Sequence, residues 1–271
     1  MCAGTTISLL DFRPAVVRSH RLAFNMRGFP PLEPAMGALE PSAGAECHGA
    51  LCTLTAREYE KVWLSEGGAQ PNPGYEEIVV DAIPYGASEP VKAVALRARE
   101  HVRLPTDAPP SARYMRMLID GADALGIKRS YVDALRATPT QTNGPLLRWL
   151  AVHQIYLTML FFRLKLRWAT RGLSAALWRV YVPPTHTSAL RRGAGTVATS
   201  LLLLPGALIG ALIRLGMWAT RTPTPPMLAV MTAKAPKDAT TKPLAAGGAT
   251  SGSPGSTGAG MAQSAPTGAG A

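Results

Sequence analysis

Cysteine is scarce in this chain, with three in 271 residues. Three thiols cannot build a disulfide framework. Cys47 and Cys52 stand five positions apart on one predicted strand, so they point to opposite faces and do not pair. That usage suits a reducing, cytosol-like compartment. Each thiol is either a buried structural group or a redox or nucleophilic one. Histidine is also sparse. His20, His48, His101, His153 and His186 lie singly, none at ligand spacing from another His or Cys, so no metal site is expected. His48 falls on a predicted strand, where it packs or lines a pocket. Residues 1–12 lack the basic start and long apolar core of a secretory signal. Acidic residues are nearly missing from one half. Residues 1–133 hold 14 Lys and Arg against 16 Asp and Glu, a net of −2. Residues 134–271 hold 14 Lys and Arg against one acid, Asp238, a net of +13. Read globally, the overall +11 would suggest nucleic acid; its confinement to one half speaks against that partner. The basic charge lies beside apolar segments, as at a membrane surface.

What is present is patterned. Residues 13–26 fit one long strand ending at Gly28-Phe29-Pro30-Pro31. Residues 30–46, rich in Pro, Gly and Ala, predict an irregular connection. Further strands are predicted at about 47–54, 76–83 and 91–98. Thr55 opens a helix running to about Leu64, with Glu58 at capping-box spacing. Ser65, Glu66, Gly67 and Gly68 end it, the Gly pair permitting left-handed backbone. Ser111 caps a second helix, with Tyr114, Met117, Leu118 and Ala122 on one stripe and Gly126 as its stop. Ser130 to Arg136 make a third, closed by Pro139. Strands followed by a helical pair give an α+β domain around a small mixed, partly closed β-sheet.

Glu66 is then a carboxylate at a helix-to-loop corner, with a glycine-rich backbone beside it and Tyr75 nine residues on. Such a corner suits one acid/base group. A solvated helix end is the alternative, at a mild cost, since an acid there opposes the helix dipole. Tyr75 either closes a pocket or packs in the sheet. Tyr114 either faces that pocket or joins the core. Asn25 and Gly28 shape a substrate-side loop or a plain turn. Glu76 and Glu77 point to opposite strand faces and form no carboxylate dyad.

The stretch His48-Gly49-Ala50-Leu51-Cys52-Thr53-Leu54, Thr55, Glu66-Gly67 and Tyr75 resembles the gamma-glutamylcyclotransferase-like family. Two flanks add to it: Phe24-Asn25 leading to Gly28, and Pro110-Ser111-Ala112-Arg113-Tyr114 with Gly121-Ala122 and Gly126-Ile127. The resemblance covers about residues 12–137. It implies a domain over residues 1–138 that is incomplete at its N-terminal side. The family's opening strand and its Y-G-S-N-L-like loop, which holds the glutamyl end, have no counterpart in the sequence. The family's Tyr near residues 91–98 is replaced by VKAVALRA. The implied reaction is intramolecular. The α-amino nitrogen of a γ-glutamyl group attacks its own γ-carbonyl, giving 5-oxoproline and a free amine or amino acid. On this resemblance Glu66 is the general acid/base, and Tyr75, Gly67, Asn25 and Tyr114 are substrate-binding. A raised carboxyl pKa would suit Glu66 in that role. No metal or cofactor is needed. The partner is a small γ-glutamyl molecule: a γ-glutamyl amino acid, a γ-glutamylamine or glutathione.

Beyond a linker at residues 139–145 the character changes. Leu146 to Phe162 is mostly apolar but holds Arg148, His153 and Gln154. Arg163 to Arg171 is basic and amphipathic. Val197 to Ile213 is a 17-residue run without charge, broken by Pro205-Gly206. Gly206 and Gly210 have the small-xxx-small spacing of close helix contacts. Residues 146–221 are therefore expected to be basic, hydrophobic, membrane-associated helices, with lipid as partner. A buried helix pair of a soluble domain is the other reading. Residues 222–271, built of Pro, Thr, Ala, Gly and Ser, are expected to be a disordered tail. Two functions stay open: a membrane-associated gamma-glutamylcyclotransferase with its catalytic domain facing a reducing compartment, or a non-catalytic membrane-attached scaffold that keeps the fold.

Overall fold

The computed structural model describes residues 7–141, 143–181 and 188–223. All lie in the first of two units, residues 1–236; the second, residues 237–271, falls outside them. The expected disordered tail lies outside the described residues from residue 224 onward.

Two long strands form the centre. Strand β1 is Asp11–Phe29 and β2 is Glu33–Thr53, paired antiparallel from Asp11↔Thr53 to Phe29↔Glu33. Residues 33–46 are thus strand, where an irregular connection was expected. Their Pro and Gly content lowers local strand preference, but β1 supplies a ladder along the whole length, and pairing overrides propensity. The irregularity survives as bulges. One falls between Arg18/Glu46 and His20/Pro41, where Ser19 and Gly44 both take positive φ (54° and 76°). The other falls between Ala23/Ala38 and Met26/Met36, where β1 carries one residue more than β2. That extra residue breaks the in–out alternation, so Ala23, Phe24 and Asn25 are all buried.

Strands β3 (Tyr75–Pro84) and β4 (Val91–Ala98) make a second hairpin. The sheet order is β2-β1-β3-β4, and all three ladders are antiparallel. β1 and β3 pair only through Ala15↔Pro84, Val16↔Ile83 and Val17↔Ala82. On the far side, Glu40 of β2 meets Arg97 of β4 at 3.1 Å and Arg103 at 3.3 Å. These contacts curl β2 toward β4 and partly close the sheet.

Helix α1 spans Ala56–Ser65. Thr55 Oγ1 accepts the Glu58 N–H at 3.2 Å, the first half of a capping box. The second half is not made: Glu58 Oε2 accepts from the Ser8 N–H instead, at 3.1 Å. Helices α2 (Ala112–Ala124) and α3 (Arg129–Ala137) follow, α2 capped by Ser111 Oγ accepting the Tyr114 N–H at 3.0 Å. The inward stripe of α2 is Tyr114, Met115, Leu118, Ile119 and Ala122 against Phe24, Ala35 and Leu135. Met117, expected on that stripe, is exposed, and Met115 takes its place.

Helices α4 (Pro145–Arg163), α5 (Arg167–Val180) and α6 (Ala189–Ala219) are the last elements among the described residues. Leu150, Ala151, Leu177, Leu203 and Ala207 form their common core, with Phe29 and Leu32 of the first hairpin packed against it. α4 and α6 approach closely because α6 offers glycine. An ideal Cβ on Gly206 would lie 1.8 Å from Gln154 Oε1, and one on Gly210 would lie 1.8 Å from the His153 carbonyl oxygen. Outward, α6 exposes Val197, Leu201, Leu208, Leu212, Leu215 and Trp218.

Candidate active site

The corner carrying Glu66 is a Schellman turn. Gly68 N–H donates to Trp63 O at 2.9 Å and Gly67 N–H to Leu64 O at 3.1 Å. Glu66 itself is the C-cap (φ −82°, ψ 4°), its N–H bonded to Val62 O at 3.0 Å. Gly67 holds φ +87°, which disfavours every residue with a Cβ. Gly68 lies flat on the Trp63 indole; a Cβ there would sit 2.1 Å from the ring. The glutamate is therefore half-buried on a fixed backbone rather than on a fraying end.

Two tyrosines from other elements converge nearby. Tyr75, the first residue of β3, is buried, and its hydroxyl donates to Gly37 O at 3.0 Å. Tyr114, in the first turn of α2, accepts the Gly37 N–H at 3.2 Å through its hydroxyl oxygen. One glycine of β2 thus holds both phenols. Burial raises the Tyr75 phenol above its ordinary range, the neighbouring Tyr114 and then the Glu66 carboxylate adding to it. Burial is also the largest cause for Tyr114. The Gly37 bond lowers that phenol's pKa, while Glu66 and Glu33 raise it. The Glu66 carboxylate thus disfavours the ionised form of both phenols, and both stay neutral donors or acceptors at ordinary pH.

A second buried group steadies this end of α2. Ser111 Oγ donates to Glu33 Oε2 at 2.6 Å, and Arg113 binds Glu33 Oε1 at 2.7 Å through Nη2. This fixes the helix start that presents Tyr114.

The sequence-predicted residues are thus partly gathered. Tyr75 and Tyr114 come together on Gly37, and the Glu66 carboxylate acts electrostatically on both. Asn25 does not join them through any contact among the described residues. The bulge turns it toward Glu40, and its Nδ2 donates to Glu40 Oε1 at 3.1 Å. Its Oδ1 is buried without a partner. Gly28 lies at the end of the first hairpin, where a Cβ would fall 2.0 Å from Glu33 O. Gly37 was missed because it acts by lacking a side chain. A Cβ there would lie 2.9 Å from the Tyr114 hydroxyl and 3.1 Å from Leu22 Cδ1. The signal available was a glycine within a strand, which marks close approach of another group.

His48 packs away from this corner. Its Nδ1 meets the Tyr85 hydroxyl at 2.6 Å, and its ring lies 4.8 Å from that of Tyr131. Cys47 and Cys52 are free thiols, and burial raises both above the usual thiol value. Among the described residues, no group of three or more His, Cys, Asp or Glu comes together as a metal site.

Two hollows lie near the sheet. The larger, about 900 Å³, runs inside the curled sheet and under α1, lined by residues such as Val17, Leu22, Leu39, Trp63, Val80 and Leu96. The smaller, about 460 Å³, opens outward between Glu76, Arg99, Glu100 and His101, and Glu66 is not among its lining residues.

The sheet and the helix pair make an α+β domain, and sequence comparison shows similarity to gamma-glutamyl cyclotransferases. No family model matches the chain. One curated relative, the gamma-glutamyl cyclotransferase gliK of Claviceps purpurea (strain 20.1), is 31% identical over 150 residues. The match takes in 51% of this chain and 66% of that protein. Among solved structures, an uncharacterized protein from Homo sapiens is 18% identical over 52% of this chain and 81% of its own, with a TM-score of 0.44. A gamma-glutamyl cyclotransferase is 17% identical over 53% of this chain and 82% of its own, also at 0.44. The N-terminal half of the chain is thus related in sequence to gamma-glutamyl cyclotransferases.

Proposed function

We propose that the chain is a gamma-glutamylcyclotransferase that closes a γ-glutamyl group to 5-oxoproline and releases an amine. What supports this is the fixed Glu66 corner, whose carboxylate disfavours ionisation of the Tyr75 and Tyr114 phenols, in a chain half related to such enzymes. The reaction is already unimolecular, so the protein's task is to fold the substrate into attack geometry. Tyr75 and Tyr114 carry hydroxyls that bind the glutamyl end. Glu66 takes the proton from the attacking α-nitrogen and delivers it to the departing nitrogen. Such proton transfer contributes roughly 10²–10⁴-fold. A neutral phenol near the γ-carbonyl supports the oxyanion that forms as the ring closes.

The test is 5-oxoproline release by the full chain and by Glu66→Gln, which keeps the size and removes the base. Release by the wild type with a loss of roughly a hundredfold or more in Glu66→Gln is expected. Equal release by both would sink the assignment of Glu66. No release from the folded wild type would leave the non-catalytic scaffold as the reading.

The same proposal places the enzyme on a membrane, facing a cytosol-like compartment. It rests on one helix, α6, long and apolar enough to cross a bilayer, with 31 residues and mean hydropathy of 2.0 in its best window. Complete release of the chain from membranes by alkaline carbonate would refute the attachment. Protease protection of residues 1–140 inside sealed vesicles would refute the orientation.

A further inference from the structure

Helix α6 is docked at its middle on the rest of the molecule. Leu203 and Ala207, at the centre of the uncharged run Val197–Ile213, share a cluster with Leu150 and Leu177, and Phe29 and Leu32 of the first hairpin pack against that cluster. Leu32 also packs on Ile155 and Tyr156, as do Ile213 and Met217 of α6. The hairpin turn is tied down beside them. The Trp178 indole N–H donates to the Gly28 carbonyl at 3.2 Å, and Asn143 Nδ2 donates to the Pro31 carbonyl at 2.8 Å. Charges flank this turn: Arg27 over the Trp178 ring, and Glu33 paired with Arg113. If α6 crossed a bilayer in this packing, its midpoint would carry the turn and those charges toward the hydrocarbon centre, where each charge is costly.

The outer face of α6 is nevertheless apolar from end to end. Leu190, Val197, Leu201, Leu208, Leu212 and Leu215 are all exposed. At about 100° per residue their spacings keep them on one stripe, and the charges of the helix, Arg191, Arg192 and Arg214, fall off it. The three C-terminal helices also expose Arg163, Lys165, Arg171 and Arg191, with Arg221 just past α6. No Asp or Glu occurs between residues 134 and 223. An apolar stripe on a basic unit without acids matches an anionic lipid leaflet. It does not match a second copy of the chain, which would set like charge against like. The glycines that allow close helix approach are already used on α4.

We propose that α6 lies in the plane of the membrane, with this stripe sunk in the acyl region of one anionic leaflet, and does not cross the bilayer. The inference rests on the membrane attachment proposed above and is independent of the cyclotransferase chemistry. Its consequence is that both ends of the chain stay on one side of the membrane. The hairpin turn and its charges then remain on the water side of α6.

The test uses the full chain, translated beside sealed endoplasmic-reticulum microsomes with a glycosylation acceptor appended at either terminus in turn. The expected result is a microsome-bound chain that is glycosylated at neither end and cut by external protease at both. Glycosylation or protection of either end overturns the proposal while the attachment stands. Failure to sediment with the microsomes ends the attachment reading itself, and the proposal with it. Flotation of the purified chain then reads the face, on vesicles of phosphatidylcholine alone and of phosphatidylcholine with phosphatidylserine. Partition is expected to be at least roughly tenfold stronger with phosphatidylserine, since each basic residue at an anionic surface is worth about fivefold. Leu201→Glu and Leu208→Glu are each expected to weaken it by roughly tenfold or more. Both positions are exposed, so both variants should unfold at the wild-type temperature in detergent, which separates lost binding from lost fold. Unchanged partition in both variants overturns the proposal. So does a dimer in detergent that the same substitutions dissociate, which would assign the stripe to a second copy.

Discussion

Gly37 is the position where a single methyl group should report most about the candidate site. In Gly37→Ala the new Cβ would sit 2.9 Å from the Tyr114 hydroxyl and 3.1 Å from Leu22 Cδ1. Ordinary contact begins near 3.4 Å, so the phenol must withdraw by about half an ångström. Withdrawal stretches the 3.2 Å bond that the Gly37 N–H donates to it. Overpacking costs about 1–3 kcal/mol and a weakened bond about 1 kcal/mol, so Gly37→Ala should destabilise by roughly 2–3 kcal/mol. Tyr114→Phe alone leaves the Gly37 N–H without its acceptor and should cost about 1–2 kcal/mol. In the double variant the hydroxyl is gone. The nearest ring atom, at the position of Tyr114 Cζ, lies 3.8 Å from the new methyl, an ordinary contact. The double variant should therefore be more stable than the sum of the singles predicts, by roughly 1–2 kcal/mol. Urea unfolding of the four proteins, followed by tryptophan fluorescence, measures the cycle. Additivity within about 0.5 kcal/mol would refute the account of Gly37 as the shared anchor of the two phenols.

Two further outcomes follow from the geometry. His48 is almost fully covered, and burial lowers its pKa below the free value of 6.5, partly offset by Glu46. The unfolded chain therefore binds more protons than the folded one just below pH 6.5. Stability is full above that pH and falls as acid is added toward the folded pKa. Urea midpoints measured across pH 5–7 should fall less steeply in His48→Gln than in wild type; parallel slopes would remove the buried imidazole as the cause. In the helix pair, Gly210→Ala and Gly206→Ala meet different obstacles. Gly210 faces the His153 backbone, which cannot swing aside, whereas Gly206 faces the far end of the Gln154 side chain. Thermal unfolding should be lowered more by Gly210→Ala, by roughly 1–3 kcal/mol equivalent; the reverse order would mean that α4 and α6 are not in this contact.

Much of the chain was legible where signals are local. Thr55 and Ser111 announce their helices because a capping hydroxyl satisfies a donor three residues away. Gly67 announces the corner because a positive φ selects for glycine. Glu66, Tyr75 and Tyr114 were reached through motif resemblance; the two tyrosines meet on one strand residue, Gly37. What was not legible is long-range. The segment 33–46 contains Pro34, Gly37, Pro41 and Gly44, and nothing local distinguishes it from a loop. Its strand character comes from β1. The inward setting of Asn25 beside Phe24 was hidden for the same reason: a bulge is set by the partner strand, so alternation along one strand cannot say that successive residues both face inward. Glu33 and Glu40 look like surface acids in the sequence. They are buried because Arg113, Arg97 and Arg103 arrive from elements far along the chain.

The bulge between Ala23 and Met26 has a reach beyond the residues it displaces. By adding one residue to β1 it resets which face every later side chain of that strand presents. The last of those residues are Arg27, Gly28 and Phe29. The Trp178 indole N–H donates to the Gly28 carbonyl at 3.2 Å, Arg27 lies over the same indole, and Phe29 enters the core of the three C-terminal helices. The extra residue therefore acts as a phase marker. It keeps Phe24 in the core of α2 while turning the strand's end toward α5. A one-residue deletion there would leave the hairpin able to pair, yet turn its far end over, away from the helices docked on it.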